Sequence, residues 1–104
     1  MNGVDARSVL AGLIGREIHT LSGQPNRILR LDGDNVIVAT GKSPEGQPVP
    51  IAWVQDALDM IVRDGEVAVN VETLRYRSAF VGAVLATLPG AITTLRPATV
   101  RIRG

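Results

Sequence analysis

The stretch RYRSAFVGAVLATLPG, residues 75–90, decides how this chain is read. Arg75 and Arg77 flank the only tyrosine, Tyr76, and the run from Ser78 to Leu88 then carries no charge before Pro89-Gly90. Phe80, Val84 and Leu88 recur at helical spacing, which predicts an apolar helix over 77–88 with a Pro-Gly terminator. The body of such a helix belongs in a core. Its charge is confined to one end and is all positive.

Working outward, the segments on either side of this helix set its context. After it, ITTL and TVRI alternate like two strands joined by a turn at Arg96-Pro97-Ala98. Before it, Asn70 can cap a single helical turn, Val71 to Leu74, and EVAV reads as a short strand. Farther back, Pro50 suits the first position of a helix over Ile51 to Val62, where Val54, Ala57, Leu58 and Ile61 are spaced for one face and Asp64-Gly65 ends it. The order is helix, strand, short helix, turn, apolar helix, hairpin, which is that of a winged helix-turn-helix. In that arrangement the second long helix presents its N-terminal residues, here Arg75, Tyr76, Arg77 and Ser78, to the DNA major groove, and the hairpin touches the flanking backbone. A helix start also favours phosphate through its free N–H groups and dipole.

The first half reads differently. Asp5 can cap a short helix bearing Val9, Leu10 and Leu13 and stopped by Gly15. DGDN, residues 32–35, is a turn signal between two β-rich runs, which predicts a hairpin of 27–31 with 35–40, and Glu17 to Leu21 suits a third strand. GKSPEGQPVP, residues 41–50, reads as a loop by its glycines and prolines. The expected fold is therefore α+β: one small domain over 1–104, an N-terminal helix and β-hairpin followed by a winged-helix-like half.

Composition narrows the function classes. With 104 residues and 45% hydrophobic content the chain suits one modest core. The net charge is only +1, but residues 1–74 hold all ten acids against six bases, a balance of −4, whereas 75–104 hold five arginines and no acid. Arginines without neighbouring carboxylates can cancel phosphate charge with no local repulsion to overcome. Ten of the eleven basic residues are arginine, whose planar fork suits phosphate and guanine edges.

There is no cysteine and only one histidine, His19, so neither a thiolate zinc site nor a Cys/His pair can be built within the chain, and no cofactor is expected. The longest apolar run falls short of a membrane span, and the N-terminus has no signal-peptide pattern, so a soluble cytoplasmic protein is expected. TGKS, residues 40–43, resembles the end of a phosphate-binding loop. It lacks the upstream glycine, since Val36 stands there, and Pro44 follows where a helix should begin. Lys42 and Ser43 remain suited to holding a phosphate from that loop. Asp32 with Asp34 reads as turn chemistry and Asp56 with Asp59 as a solvated helix face, so no catalytic site is expected. Trp53 suits the core edge or a partner contact, and Tyr76 is the aromatic best placed to meet a base.

From about Arg16 to Ala91, and most of all in ATGKSPEGQPVP and YRSAFVGAVLATLPG, the chain resembles the N-terminal domain that precedes the HNH nuclease domain of actinobacterial, McrA-like, modification-dependent restriction endonucleases. That resemblance implies a recognition module for double-stranded DNA containing 5-methylcytosine, with cleavage left to a missing nuclease domain, and the abrupt end RPATVRIRG fits such a fragment. It also implies DNA contact by Tyr76, Arg77 and Ser78 and by Gly41, Lys42 and Ser43. A division of roles follows: Arg75, Arg77, Arg96 and Lys42 on phosphates, with Arg77 or Arg75 bidentate to guanine, and Tyr76, Ser78 and Ala79 near base edges or the methyl group. Reading within the groove is expected, because the C5-methyl already projects there and a small domain leaves little room for a deep pocket.

Two other classes fit the same elements. A repressor would use the winged helix on unmodified palindromic DNA as a dimer, with half-sites about one helical turn apart. An interaction module would use the apolar helix as a partner surface, and its binding would survive high salt. Paired cleavage and paired sites make a homodimer an expectation of the nuclease and repressor readings.

Overall fold

Asp5 begins the first helix as expected. In the computed structural model, which describes residues 4–103, the Ser8 N–H and hydroxyl both donate to Asp5 Oδ2 (3.0 and 2.9 Å), and helix α1 spans Ala6–Leu13. Those bonds hold the Asp5 carboxyl below the usual carboxylate range. Leu10 and Leu13 are buried, and Gly15 donates its N–H to the Ile28 carbonyl at 2.7 Å, which ties the end of α1 to the sheet that follows.

That sheet is an antiparallel meander of β1 (Glu17–His19), β2 (Pro25–Asp32), β3 (Asn35–Thr40) and β4 (Gln47–Pro50), in the order β1-β2-β3-β4. Ile28 opposite Val38, and Val36 opposite Val49, form its buried face. The hairpin turn at Gly33-Asp34 matches the expectation, with β2 longer than expected at both ends. β1 stops at His19, short of Leu21, because Thr20 and Gln24 close a tight turn: the Thr20 N–H donates to the Gln24 carbonyl at 2.9 Å.

Residues 47–50 correct the sequence reading. They form an edge strand where a loop was expected, with Pro48 opposite Ile37 and Pro50 opposite Asn35. Proline is tolerated there because an edge strand has one row of N–H groups without a partner. Pro50 accordingly ends β4 as the N-cap of helix α2, Ile51–Asp64, and is not its first helical residue. α2 runs two residues past Val62 and closes on Gly65, whose φ of 81° is the left-handed conformation that glycine adopts without a steric penalty. Val54, Ala57, Leu58 and Ile61 face the core. Gln55, on the same helix, bridges to the start of α1: its Oε1 accepts from the Ala6 N–H and its Nε2 donates to the Val4 carbonyl, both at 2.7 Å.

The second half follows the expected order: β5 (Glu66–Ala68), the single turn α3 (Val71–Leu74), α4 (Ser78–Ala86), β6 (Ala91–Leu95) and β7 (Ala98–Ile102). The three strands make a separate antiparallel sheet in the order β5-β7-β6, so the strand before α3 pairs with the second arm of the hairpin. α4 is shorter than the expected 77–88. Arg77 is its N-cap, and the Thr87 and Leu88 N–H groups donate to Val84 and Leu85 in a closing turn.

Phe80 through Leu85 are all buried. α2 and α3 pack on this helix, as do β6 and β7, and β1 of the first sheet covers a further side. One core therefore joins both sheets. The radius of gyration, 12.5 Å, agrees with the roughly 13 Å expected of a single 100-residue domain. The chain is a compact α+β domain with α4 at its centre.

Candidate functional site

The turn from α3 into α4 is built from a cap and a strained residue. The Asn70 side chain accepts from the Thr73 N–H at 2.8 Å and starts α3, and the Arg75 N–H closes it on the Val71 carbonyl at 2.9 Å. Arg75 then adopts φ 69° and ψ −164°, a region that only glycine visits freely, and it is the one non-glycine residue with positive φ among the described residues. Its guanidinium lies back on α2, 3.5 Å from Asp56 Oδ2 and 5.9 Å from the Trp53 ring centroid. Replacing Arg75 with glycine is expected to leave stability unchanged or raise it by about 1 kcal/mol, since relieved strain offsets the added freedom of the unfolded chain. Urea unfolding of the wild type, Arg75→Gly and Arg75→Ala checks this; a Gly variant less stable than the Ala variant contradicts the strained geometry.

Beyond Arg75 the chain opens outward. Tyr76 is 77% exposed, and the Arg77 guanidinium stands 5.6 Å from its ring centroid. No side chain caps α4, so the N–H groups of its first turn, beside the half-buried Arg77 and the exposed Ala79, have no side-chain acceptor.

These residues form one wall of a pocket of about 280 Å³. The opposite wall is the inner face of the first sheet near its end, where Asn26 lies across from Thr40, and Gln47 across from Val38. The turn after β1 closes the side: the Thr20 hydroxyl accepts from the Gln24 N–H at 3.0 Å and shares a hydrogen bond with the Ser22 hydroxyl at 3.1 Å. Val38, Val49 and Phe80 supply the apolar part of the lining. A small domain is expected to leave little room for a deep pocket, and this one is of modest size. The unexpected strand β4 and the Thr20–Gln24 turn are what enclose it.

An adjoining depression joins Ser22, Ser78 and Ala79 to Leu95 and Ala98. It places the tip of the β6–β7 hairpin, where Arg96 is exposed, beside the start of α4. Gly41 and Lys42 are exposed in the loop after β3, where Gly41 and Pro44 line a separate depression with Glu17, Arg27 and Leu29, and Ser43 accepts from Gln47 Nε2 at 3.3 Å.

Tyr76, Arg77, Ser78 and Ala79 thus line one concavity, with Lys42, Ser43 and Arg96 on the segments around it. Arg75 alone is turned away, onto α2. Sequence reasoning missed Thr20, Ser22, Gln24, Asn26, Thr40 and Gln47. A signal for four of them was present: Thr20, Ser22, Gln24 and Asn26 are polar at a spacing of two, and Asn26 sits two residues before Ile28, on the strand's inward face.

The remaining polar clusters have ordinary structural roles. His19 is exposed and 3.3 Å from Glu17, Asp34 pairs with Arg7 at 3.7 Å, and Asp59 accepts from Gln55 at 2.9 Å. Thr40 and Ser43 close a tight turn on each other's backbone, followed by a strand, which is not the geometry of a phosphate-binding loop. Among the described residues no group of three or more His, Cys, Asp or Glu could hold a metal ion, and no helix is long and apolar enough to cross a membrane. Comparison with protein-family models, curated proteins and solved structures returns no match.

Proposed function

We propose that this chain is a DNA-recognition module, with residues 51–102 acting as a winged helix-turn-helix, and that it selects duplex DNA containing 5-methylcytosine for a nuclease domain in a longer protein. The observation that carries the DNA reading is the uncapped, arginine-flanked start of α4 beside the Arg96 hairpin tip, within a segment that has no acid from residue 75 onward. The sheet order β5-β7-β6 supports the winged-helix reading, since a wing pairs its second arm with the strand that precedes the short helix. Selection of the methylated base rests on the resemblance of ATGKSPEGQPVP and YRSAFVGAVLATLPG to the restriction endonucleases. A homodimer on paired sites belongs to the same reading.

The fold also limits how DNA is met. Because α4 is buried from Phe80 to Leu85, it cannot lie along a groove, and only its first turn is free to enter one end-on. Arg77, Arg96 and Lys42 reach phosphates, and Arg75 joins them by exchanging Asp56 for a phosphate.

A mobility-shift titration at two salt concentrations tests this, using one duplex with a single 5-methylcytosine and its unmethylated twin. Tighter binding to the methylated duplex is expected, with both affinities falling as salt rises at a log–log slope of roughly −3 to −4 for four phosphate contacts. Arg77→Ala is expected to weaken binding about tenfold and to flatten that slope by about 1 if it holds a phosphate, or to erase discrimination if it reads a base. Equal binding of the two duplexes points to a repressor-type DNA binder. Absence of binding to either removes DNA as the ligand.

A further inference from the structure

The pocket beside α4 has features that phosphate contact does not use. Asn26 is only 6% exposed, and among the described residues no side-chain hydrogen bond engages its amide. No buried side-chain nitrogen or oxygen among those residues is left both unpartnered and sealed from solvent, so this amide keeps a narrow opening. Asn26 lies on the inward face of β2 with Ile28, opposite Thr40, and lines the pocket. A nearly buried amide that offers two donors and an acceptor without receiving a partner is costly unless something else completes it.

The chemistry of the walls narrows what that is. Apart from Arg77 and Tyr76, both on the α4 side, no lining residue carries an ionisable group. Amides and hydroxyls line the sheet and turn sides, with Val38, Val49 and Phe80 as apolar partners. This suits a neutral, planar heterocycle with hydrogen-bonding edges better than a metal ion, for which the lining offers no carboxylate, imidazole or thiolate. About 280 Å³ lies just under the usual range of about 300–1,000 Å³ for pockets that take drug-sized ligands, so one ring system is the matching size.

Resting on the DNA reading above, we propose that this pocket receives a single nucleobase turned out of the duplex, its hydrogen-bonding edge read by Asn26 and Gln47, while Arg77 holds the displaced backbone at the mouth. Tyr76, exposed at the rim, covers the base or fills the gap left in the stack. This replaces reading within the groove, which leaves the Asn26 amide unused.

An extruded base separates the two modes, because only extrusion is eased by weakening the base pair. The test titrates the wild-type chain with four duplexes: 5-methylcytosine or cytosine opposite guanine, and the same two bases opposite adenine. A 2-aminopurine next to the target base in the same strand reports unstacking. The expected result is binding at least fivefold tighter to the mismatched methylated duplex than to the paired one, with a rise in 2-aminopurine fluorescence. Asn26→Ala and Gln47→Ala, each checked for a retained thermal midpoint, are expected to lose about tenfold on the methylated duplex and to lose the preference for the mismatched duplexes over the paired ones. Should Asn26→Ala lose its fold, Gln47→Ala and the mismatch comparison decide by themselves. Equal affinity for paired and mismatched duplexes without a fluorescence rise overturns the pocket proposal and leaves the DNA reading standing. Failure to bind any of the four duplexes overturns both.

Discussion

Leu85→Ala is expected to lower the thermal midpoint by roughly 12–24 °C, which follows from a loss of about 3 kcal/mol for a truncated buried leucine and about 4–8 °C per kcal/mol in a domain of this size. Leu85 is fully buried, on a helix packed against α2, α3, β1, β6 and β7, so its truncation leaves a cavity in a close-packed interior. Val62→Ala is the control: that side chain is 54% exposed, and its truncation is expected to stay within about 0.5 kcal/mol. Differential scanning calorimetry checks both. The result bears on function as well as on stability. A recognition helix lying lengthwise in a groove has an exposed face along its body, whereas this helix leaves only its start free. A shift of a degree or two at Leu85 would contradict a fully enclosed α4, and with it the end-on approach proposed for DNA.

The legible parts of this fold are those set by local chemistry. The Asp5 and Asn70 caps, the Gly33 turn and the Gly65 stop each satisfy or release a backbone constraint within a few residues of themselves, and all stand where the sequence places them. Strand β4 was not legible, because its two prolines read as loop chemistry and become acceptable only once the strand is known to lie at a sheet edge. The candidate site divides in the same way. Tyr76, Arg77 and Ser78 stand out because a charged end abuts an apolar run, but Asn26, Thr40 and Gln47 come from three strands and meet only through the sheet register. Nor does the sequence signal that Arg75, chemically equal to Arg77, is drawn back onto α2 by Asp56 and Trp53, nineteen and twenty-two residues earlier.

Gly82→Ala is expected to destabilise the domain by about 1–3 kcal/mol even though alanine is the better helix former by about 1 kcal/mol. A Cβ at this position would stand 2.6 Å from Val69 Cγ1 and 3.2 Å from its Cγ2, well inside van der Waals contact. Val69 cannot readily swing aside. It is β-branched and stiff about χ1, and its N–H donates to the Ala98 carbonyl at 2.8 Å, fixing the backbone against β7. The clash therefore has a single removable source, which makes the double mutant informative. In the Val69→Ala background both Cγ atoms are gone, and adding Ala at 82 is expected to be neutral or stabilising, with a coupling energy of about 1–3 kcal/mol between the two positions. Gly82 lies one helical turn beyond Ser78, and Val69 lies just before Asn70, so the same close approach sets the height of the α4 start over the hairpin and the mouth of the pocket. If Gly82→Ala alone stabilises the protein, the helix stands farther from β5 than described, and the positions of Tyr76, Arg77 and Ser78 around the pocket move with it. If the single variant loses stability and the double variant recovers it, a lever becomes available: Gly82→Ala alone shifts the start of α4 while leaving every proposed contact residue in place, and a fall in discrimination between methylated and unmethylated duplexes would then be traced to geometry and not to lost side chains.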